Sequence, residues 1–212
     1  MAPVLLVLLL SAQPAKASIR ADAGPAIPVE QLSGAPDVVG LCKRLIPAER
    51  LRPGGDAVDQ GQAWSRQETD RDRSLTGRYQ VTVPAVRLPF APYDGPEQRL
   101  EVAEPATLKL DGGAVVLTAT EDRGLPVHVN AAMARKILAA RNAGRLGLQL
   151  VFDLPDDAIC TVDRRGKRYA LGVEPVEWSW RDGNGVLAWG GVAGDRPPVN
   201  VALGAQPSVE VG

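Results

Sequence analysis

Few residues of this chain can act as a general base or as a nucleophile. Among 212 residues there is one histidine, His128, and there are two cysteines, Cys42 and Cys160. A catalytic triad needs a serine or cysteine nucleophile beside the histidine and a carboxylate behind it. No G-x-S-x-G motif occurs, and both cysteines fall in apolar patterns. We therefore interpret His128 as an ordinary strand residue, and we predict no catalytic residue and no cofactor.

The two cysteines fit a structural role better than a chemical one. A zinc site needs three or four protein ligands, which usually come in close pairs, and one histidine with two distant cysteines does not supply them. We therefore predict no metal site. A thioredoxin-like centre needs a C-x-x-C motif, which is absent. In an oxidising compartment, a disulfide between Cys42 and Cys160 would close a loop of roughly a hundred residues. Two separate buried thiols are the alternative.

Carboxylates offer the one route to catalysis. Glu174 and Glu177 lie three positions apart, and Asp153 and Asp156 lie at the end of a predicted strand. Paired carboxylates hydrolyse glycosidic bonds when their spatial separation is right, so an exported hydrolase is an alternative function. The stretch 182–185 opens like an EF-hand calcium loop, but it lacks the later oxygen ligands and the closing glutamate. We interpret it as a turn.

Three tryptophans near the C-terminus form the candidate ligand-binding surface. Trp178 and Trp180 are two positions apart on a predicted strand, and Trp189 lies on the strand that follows the turn. If they were exposed, neighbouring indoles would make a flat platform for sugar rings or other planar ligands. If they were buried, they would be ordinary core, and the polar residues that alternate with them already supply a solvent face.

Four cations are concentrated on a predicted hairpin turn: Arg164, Arg165, Lys167 and Arg168. They could contact an anionic polymer or a lipid headgroup, and a merely solvated turn is the alternative. The whole chain has 24 basic and 25 acidic side chains and a net charge of −1. Proteins that bind nucleic acids usually have a strong basic excess, so we expect no nucleic-acid partner.

The elements that position these residues are mostly strands. Tyr79, Val81 and Val83 alternate with polar residues, which predicts a strand with one buried face. Glycine-rich turns at 111–113 and 182–185 predict hairpins. The predicted strands cover 78–83, 99–102, 107–110, 114–120, 126–129, 146–154, 159–162, 168–173, 176–180 and 186–189.

Two helices are predicted. Asn130 is a suitable N-cap for a helix at about 131–142, which has an apolar face and ends near Gly144. A shorter helix is predicted to follow Asp37 as its N-cap and to place Cys42 toward the core. We predict an α+β fold: a mostly antiparallel β sandwich or open barrel with one long packing helix and a short N-terminal helix.

The domain organisation predicted from composition is a β-rich core domain at 77–190 with flanking segments. Residues 1–17 read MAPVLLVLLLSAQPAKA, a short apolar run and a small-x-small site that are typical of a signal peptide. They lack a basic n-region, and the run is too short to span a bilayer. Residues 18–36 are predicted as a flexible leader, 37–76 as a helical and polar lead-in, and 191–212 as a tail, either an edge strand or disordered.

These patterns predict an exported, non-enzymatic envelope accessory or ligand-binding module, with no transmembrane segment after signal cleavage. Its partner would be a small molecule, a glycan or an envelope protein. Arginine outnumbers lysine 19 to 5, which is typical of a GC-rich coding sequence. We expect a bacterial source and a periplasmic, cell-surface or extracellular location. The alternatives are the hydrolase and a structural subunit of an envelope complex that docks through a strand edge.

Overall fold

The computed structural model describes residues 28–50, 53–86, 88–103, 106–119 and 124–191. The predicted signal peptide, most of the predicted leader and nearly all of the predicted tail lie outside the described residues. The helices are α1 (Ala35–Arg44), α2 (Ala57–Leu75) and α3 (Ala131–Asn142). The strands are β1 (Val29–Leu32), β2 (Arg78–Pro84), β3 (Arg99–Leu100), β4 (Thr107–Leu110), β5 (Val115–Ala119), β6 (Val127–His128), β7 (Gly147–Asp153), β8 (Thr161–Val162), β9 (Tyr169–Asp182) and β10 (Gly185–Gly191).

Eight of these strands form one mixed sheet. Its main order is β1-β2-β7-β9-β5-β4, and β8 and β10 also pair with β9. The β1–β2 and β5–β9 pairs are parallel, while the other pairs in this sheet are antiparallel. Strands β3 and β6 form a separate antiparallel pair. The described strands do not close into a barrel, and the predicted sandwich or open barrel is not confirmed.

Strand β9 organises the sheet because it pairs with four other strands. Its first residues pair with β5 and β8, and its second half pairs with β7 and β10. We had predicted two strands separated at Pro175, but Pro175 lies inside β9. Val151 pairs with Glu177 and Phe152 pairs with Pro175, so that Val176 is an extra residue. A bulge of this kind tolerates proline, which has no N–H group to donate to the neighbouring strand.

One face of the sheet carries the core. Alternating residues of β2, β7 and β9 point to this face and are buried, among them Val81, Leu150 and Trp180. Helix α3 adds Ile137 and its neighbours Ala134 and Ala140. The alternation that predicted one buried sheet face is therefore present in β2 and β7, whose burial alternates residue by residue.

The predicted long helix is confirmed. Helix α3 spans Ala131–Asn142, and the Asn130 side chain accepts a hydrogen bond from the Met133 N–H group at 2.9 Å. Helix α1 begins three residues earlier than expected, at Ala35, with Gly34 at the N-cap position. Asp37 is therefore not the N-cap. Its carboxylate lies in the first turn and accepts from the Ser33 N–H group at 2.7 Å.

One element differs from the sequence-based expectations. Residues 29–32, which are predicted in the leader, form β1 beside β2. Helix α2 lies in the segment predicted as a helical and polar lead-in; it is 19 residues long, begins after the N-cap Asp56, and buries only Ser74. None of the helices in the described ranges is both long and apolar enough to cross a bilayer.

Candidate functional site

Cys42 and Cys160 are joined in a disulfide. Their sulfur atoms lie 2.01 Å apart and their Cα atoms 5.2 Å apart, across a sequence separation of 118. Cys42 lies on α1 and is buried, whereas Cys160 directly precedes β8 and is half-buried. The bond therefore anchors the base of the β8–β9 hairpin to α1, and neither cysteine is available as a nucleophile.

The β8–β9 hairpin carries the predicted basic turn. Thr161 pairs with Ala170 and Val162 with Tyr169. The chain then reverses through Gly166, whose φ of +66° lies in the left-handed region that glycine adopts without a steric penalty. The segment 163–168, which we name the basic turn, contains the four predicted cations, and all four side chains are exposed.

Asp163 orders the basic turn from within. One of its carboxylate oxygens, Oδ1, accepts from the backbone N–H groups of Lys167 at 2.8 Å and of Arg165 and Arg168 at 3.2 Å each. The hydrogen bond from Lys167 has the largest effect in lowering the pKa of Asp163 below its ordinary value. These donors are backbone groups, so Asp163 orders the turn through the main chain, and the charge of Arg168 also lowers the pKa of Asp163.

The basic turn has a local excess of positive charge. The ion pairs found in the described parts of the chain join Arg44 to Glu30, Arg78 to Asp153 and Arg99 to Glu101, and none involves the turn. Four cations and one carboxylate give residues 163–168 a net charge of +3, whereas the whole chain has −1. Two exposed apolar side chains precede the turn, Ile159 at 42% and Val162 at 49% exposure.

The prediction of an exposed tryptophan platform is wrong for two of its three residues. Trp178 is 3% exposed, and its indole N–H group donates to the carbonyl oxygen of Pro126 at 2.9 Å. Trp180 is fully buried, with its ring centroid 5.0 Å from that of Phe90. Both indoles leave the same face of β9, as predicted, but that face is the core face.

Trp189 does not complete a platform either. It pairs with Ser179 across β9 and β10, and directly opposed residues share a face, so Trp189 lies on the face opposite Trp178 and Trp180. Its side chain is half-buried. The tryptophan that is exposed, at 42%, is Trp64 on α2. Trp64 stands alone in a polar stretch, QGQAWSRQ, and so gave no signal of a binding surface.

The candidate catalytic carboxylates are only partly brought together. Asp153 and Glu174 are opposed on β7 and β9, but Asp153 accepts two hydrogen bonds from Arg78 at 2.8 Å. These bonds raise the pKa of Arg78 against the opposing effect of burial. Glu174 and Asp156 are exposed, and Glu177 is half-buried. In the part of the chain that the structure describes, no three acidic, histidine or cysteine residues are grouped to hold a metal.

His128 is exposed on β6 and pairs in register with Arg99 on β3. Neither cysteine can serve it as a nucleophile, since both are in the disulfide. The position agrees with the interpretation of His128 as a strand residue.

A second candidate site is a cleft of about 620 Å³ between β1, the start of β2 and the C-terminal ends of α1 and α2. Arg44 crosses it and donates to Glu30 at 2.9 Å and to the Ser74 hydroxyl at 3.2 Å. Burial lowers the pKa of Arg44, but the hydrogen bond and charge of Glu30 outweigh it and raise the pKa. Arg73 also lines the cleft and is exposed. The sequence did not indicate this cleft because its residues come from four separate segments.

Comparison with known proteins adds no functional information. No family model, no curated protein and no solved structure matches this chain.

Proposed function

We propose that this chain is an exported, non-enzymatic binding module of the cell envelope that binds an anionic partner through the basic turn. The observation that carries the proposal is the set of four exposed cations at Arg164, Arg165, Lys167 and Arg168, none of which forms an ion pair with another described residue. Unpaired surface charge of one sign attracts and orients a partner of the opposite sign.

The order of the turn supports binding over simple solvation. Three backbone hydrogen bonds to Asp163, together with the Asp163 N–H bond to the Arg168 carbonyl oxygen at 2.9 Å, hold the turn. Because the backbone is already ordered, binding costs less conformational entropy than it would for a flexible basic tail.

Export is supported by two independent features. Residues 1–17 have the pattern of a signal peptide, and the Cys42–Cys160 disulfide is of the kind that persists in oxidising compartments. The hydrolase alternative has less support, because the carboxylate of Asp153 is held by Arg78 in two hydrogen bonds.

The cleft favours a second candidate function, the binding of a small ligand. Its volume of about 620 Å³ lies within the range of small-molecule sites, roughly 300–1,000 Å³. Arg73 forms no ion pair with a described residue, so it is the candidate contact for an anionic group in a cleft that the carboxylates of Glu30 and Asp70 also line. Arg73→Gln would weaken the binding of such a ligand to the cleft and leave binding at the basic turn unchanged.

The proposal is tested with two anionic probes, heparin in solution and vesicles that contain phosphatidylglycerol. Arg164→Gln/Arg165→Gln is expected to weaken binding to both probes by about tenfold or more. The matched control is Arg135→Gln/Lys136→Gln, which removes the same charge from exposed positions of α3. Asp163→Asn should have the opposite effect and tighten binding, since it keeps an acceptor oxygen and removes the turn's negative charge.

Two outcomes would contradict this proposal. The first is that the wild-type chain binds neither probe at low salt. The second is that the α3 control weakens binding as much as the turn variant does, because binding would then follow net charge alone.

A further inference from the structure

We infer that the anionic partner is the surface of a lipid bilayer, on which the basic turn contacts headgroups while Ile159 and Val162 enter the interfacial region. This inference rests on the proposed function and names its partner. It is carried by the presence of exposed apolar and cationic side chains on the β8–β9 hairpin and in the two residues that precede it.

The exposed apolar residues distinguish a bilayer from a soluble polyanion. Ile159 and Val162 are 42% and 49% exposed and lie within five positions of Arg164. A polymer such as heparin or polyphosphate offers these side chains no apolar environment. An anionic bilayer offers phosphate groups and hydrocarbon at the same surface, and proteins that lie on membranes combine buried apolar area with basic charge.

Val162 shows where the apolar character of the sheet reaches solvent. It pairs with Tyr169, which itself pairs with Val115 on the other edge of β9. Directly opposed residues share a face, and Val115 is fully buried, so Val162 belongs to the core face of the sheet. It nevertheless remains half exposed. The core face therefore continues, as an exposed apolar position, directly beside the basic turn.

The hairpin is also firmly held at its base. Cys160 lies between Ile159 and Thr161 and is bonded to Cys42 of α1, and the Tyr169 N–H group donates to the carbonyl oxygen of Ala114 at 2.9 Å. These links restrain the hairpin that carries Val162 and the cations, so less conformational entropy is lost when the hairpin binds a surface.

The test compares vesicle binding with heparin binding for the full-length oxidised chain. Vesicles are made of phosphatidylcholine alone or with one-third phosphatidylglycerol, and binding is measured by flotation. Ile159→Thr/Val162→Thr is the test variant. Ile46→Thr/Val58→Thr is its matched control, since it makes the same two substitutions at exposed positions elsewhere. Because the apolar run in residues 1–17 is common to all variants, the variants are compared at lipid concentrations below those that saturate vesicle binding.

We expect Ile159→Thr/Val162→Thr to weaken binding to phosphatidylglycerol vesicles by about tenfold and to leave heparin binding unchanged. The control should change neither. Val162→Trp serves as a second variant that keeps the position apolar, and it should strengthen vesicle binding without affecting heparin binding.

Two results would overturn the inference, and they are distinguishable. If heparin and phosphatidylglycerol vesicles both bind through the cations but the two variants at positions 159 and 162 change nothing, Ile159 and Val162 do not enter the interfacial region. The inference is then overturned and the proposed function stands. If the wild-type chain shows no preference for phosphatidylglycerol and no heparin binding, both the inference and the proposed function fail.

Discussion

The hydroxyl of Tyr79 is buried where α2 meets β2, and it donates a hydrogen bond to the Ser74 carbonyl oxygen at 2.8 Å. Gly77 leaves room for it, since a Cβ atom at Gly77 would lie 2.7 Å from the hydroxyl oxygen. Burial raises the pKa of Tyr79 above its ordinary value, although the side chain of Ser74 opposes the shift. This single group therefore links the stability of the α2–β2 junction to alkaline pH.

Tyr79→Phe is expected to lower the free energy of unfolding by about 1 kcal/mol at neutral pH, the usual net value of one hydrogen bond. At higher pH the difference should shrink. The folded pKa lies above the unfolded value of about 10, so the stabilisation from protonated Tyr79 is complete below that pH and is lost as pH rises through the folded pKa. Urea unfolding at neutral and alkaline pH measures this.

The control is Tyr93→Phe, which removes another hydroxyl-to-carbonyl hydrogen bond, from Tyr93 to Val129 at 2.9 Å. If the gap between the wild type and Tyr79→Phe stays constant with pH, Tyr79 ionisation is not coupled to unfolding.

The tryptophans show how far sequence reasoning reaches at the scale of residues. Period-two alternation is local, so it correctly placed Trp178 and Trp180 on one face of a strand. Whether that face is covered depends on residues distant in sequence, Pro126 and Phe90. No local pattern contains that information. The basic turn, by contrast, was predictable because its cations are adjacent in the chain.

At the scale of elements, the C-terminus of α1 depends on a side chain from α2. The last carbonyl groups of a helix have no partner within the helix. The Gln67 amide nitrogen lies within hydrogen-bonding distance of three carbonyl oxygens, those of Ile46 at 2.7 Å, Arg44 at 3.0 Å and Lys43 at 3.2 Å. Helix α2 buries little of its own surface, so this contact is a large part of what holds the two helices together.

Gln67→Ala is expected to destabilise the fold by about 1–2 kcal/mol, because it leaves carbonyl groups at the helix end without their donor. Gln67→Glu should be at least as harmful, since a carboxylate cannot donate and repels the negative end of the helix dipole. Chemical denaturation measures both. Gln62→Ala, at an exposed position of α2, is the control, and an equal effect of both alanine variants would contradict this capping role.

Helices and strands could be predicted where the sequence pattern that specifies them is local. Helix α3 matched its predicted bounds because an N-cap, an apolar period and a glycine stop coincide. Strand β1 was missed because only Leu32 of its four residues is buried, and its partner β2 lies 49 residues away. The continuation of β9 through Pro175 was missed because the bulge is visible only in the pairing with β7.

At the scale of the whole molecule, the order β1-β2-β7-β9-β5-β4 brings distant segments together. Strand β9 pairs with β5 in parallel and with β7 and β10 in antiparallel orientation. Such non-local pairings carry a large entropy cost of loop closure during folding. The cleft beside Arg44 is likewise formed by segments that are separate in sequence, whereas the cations of the basic turn are adjacent in the chain. The sequence therefore indicated the basic turn but not the cleft.

The disulfide also joins segments that are distant in sequence, because it ties α1 to the base of the hairpin across a separation of 118 residues. In the chain-entropy model, a loop of this size stabilises a fold by at most about 5 kcal/mol. Cys42→Ala/Cys160→Ala, or reduction of the wild type, is expected to lower the free energy of unfolding by about 3–5 kcal/mol.

Because the base of the hairpin is then less restrained, binding to phosphatidylglycerol vesicles should also weaken. Denaturant unfolding and vesicle flotation, with and without dithiothreitol, measure both effects. Dithiothreitol should not affect the double variant, and an unchanged unfolding midpoint after complete reduction of the wild type would show that the sheet and helices hold α1 without the disulfide.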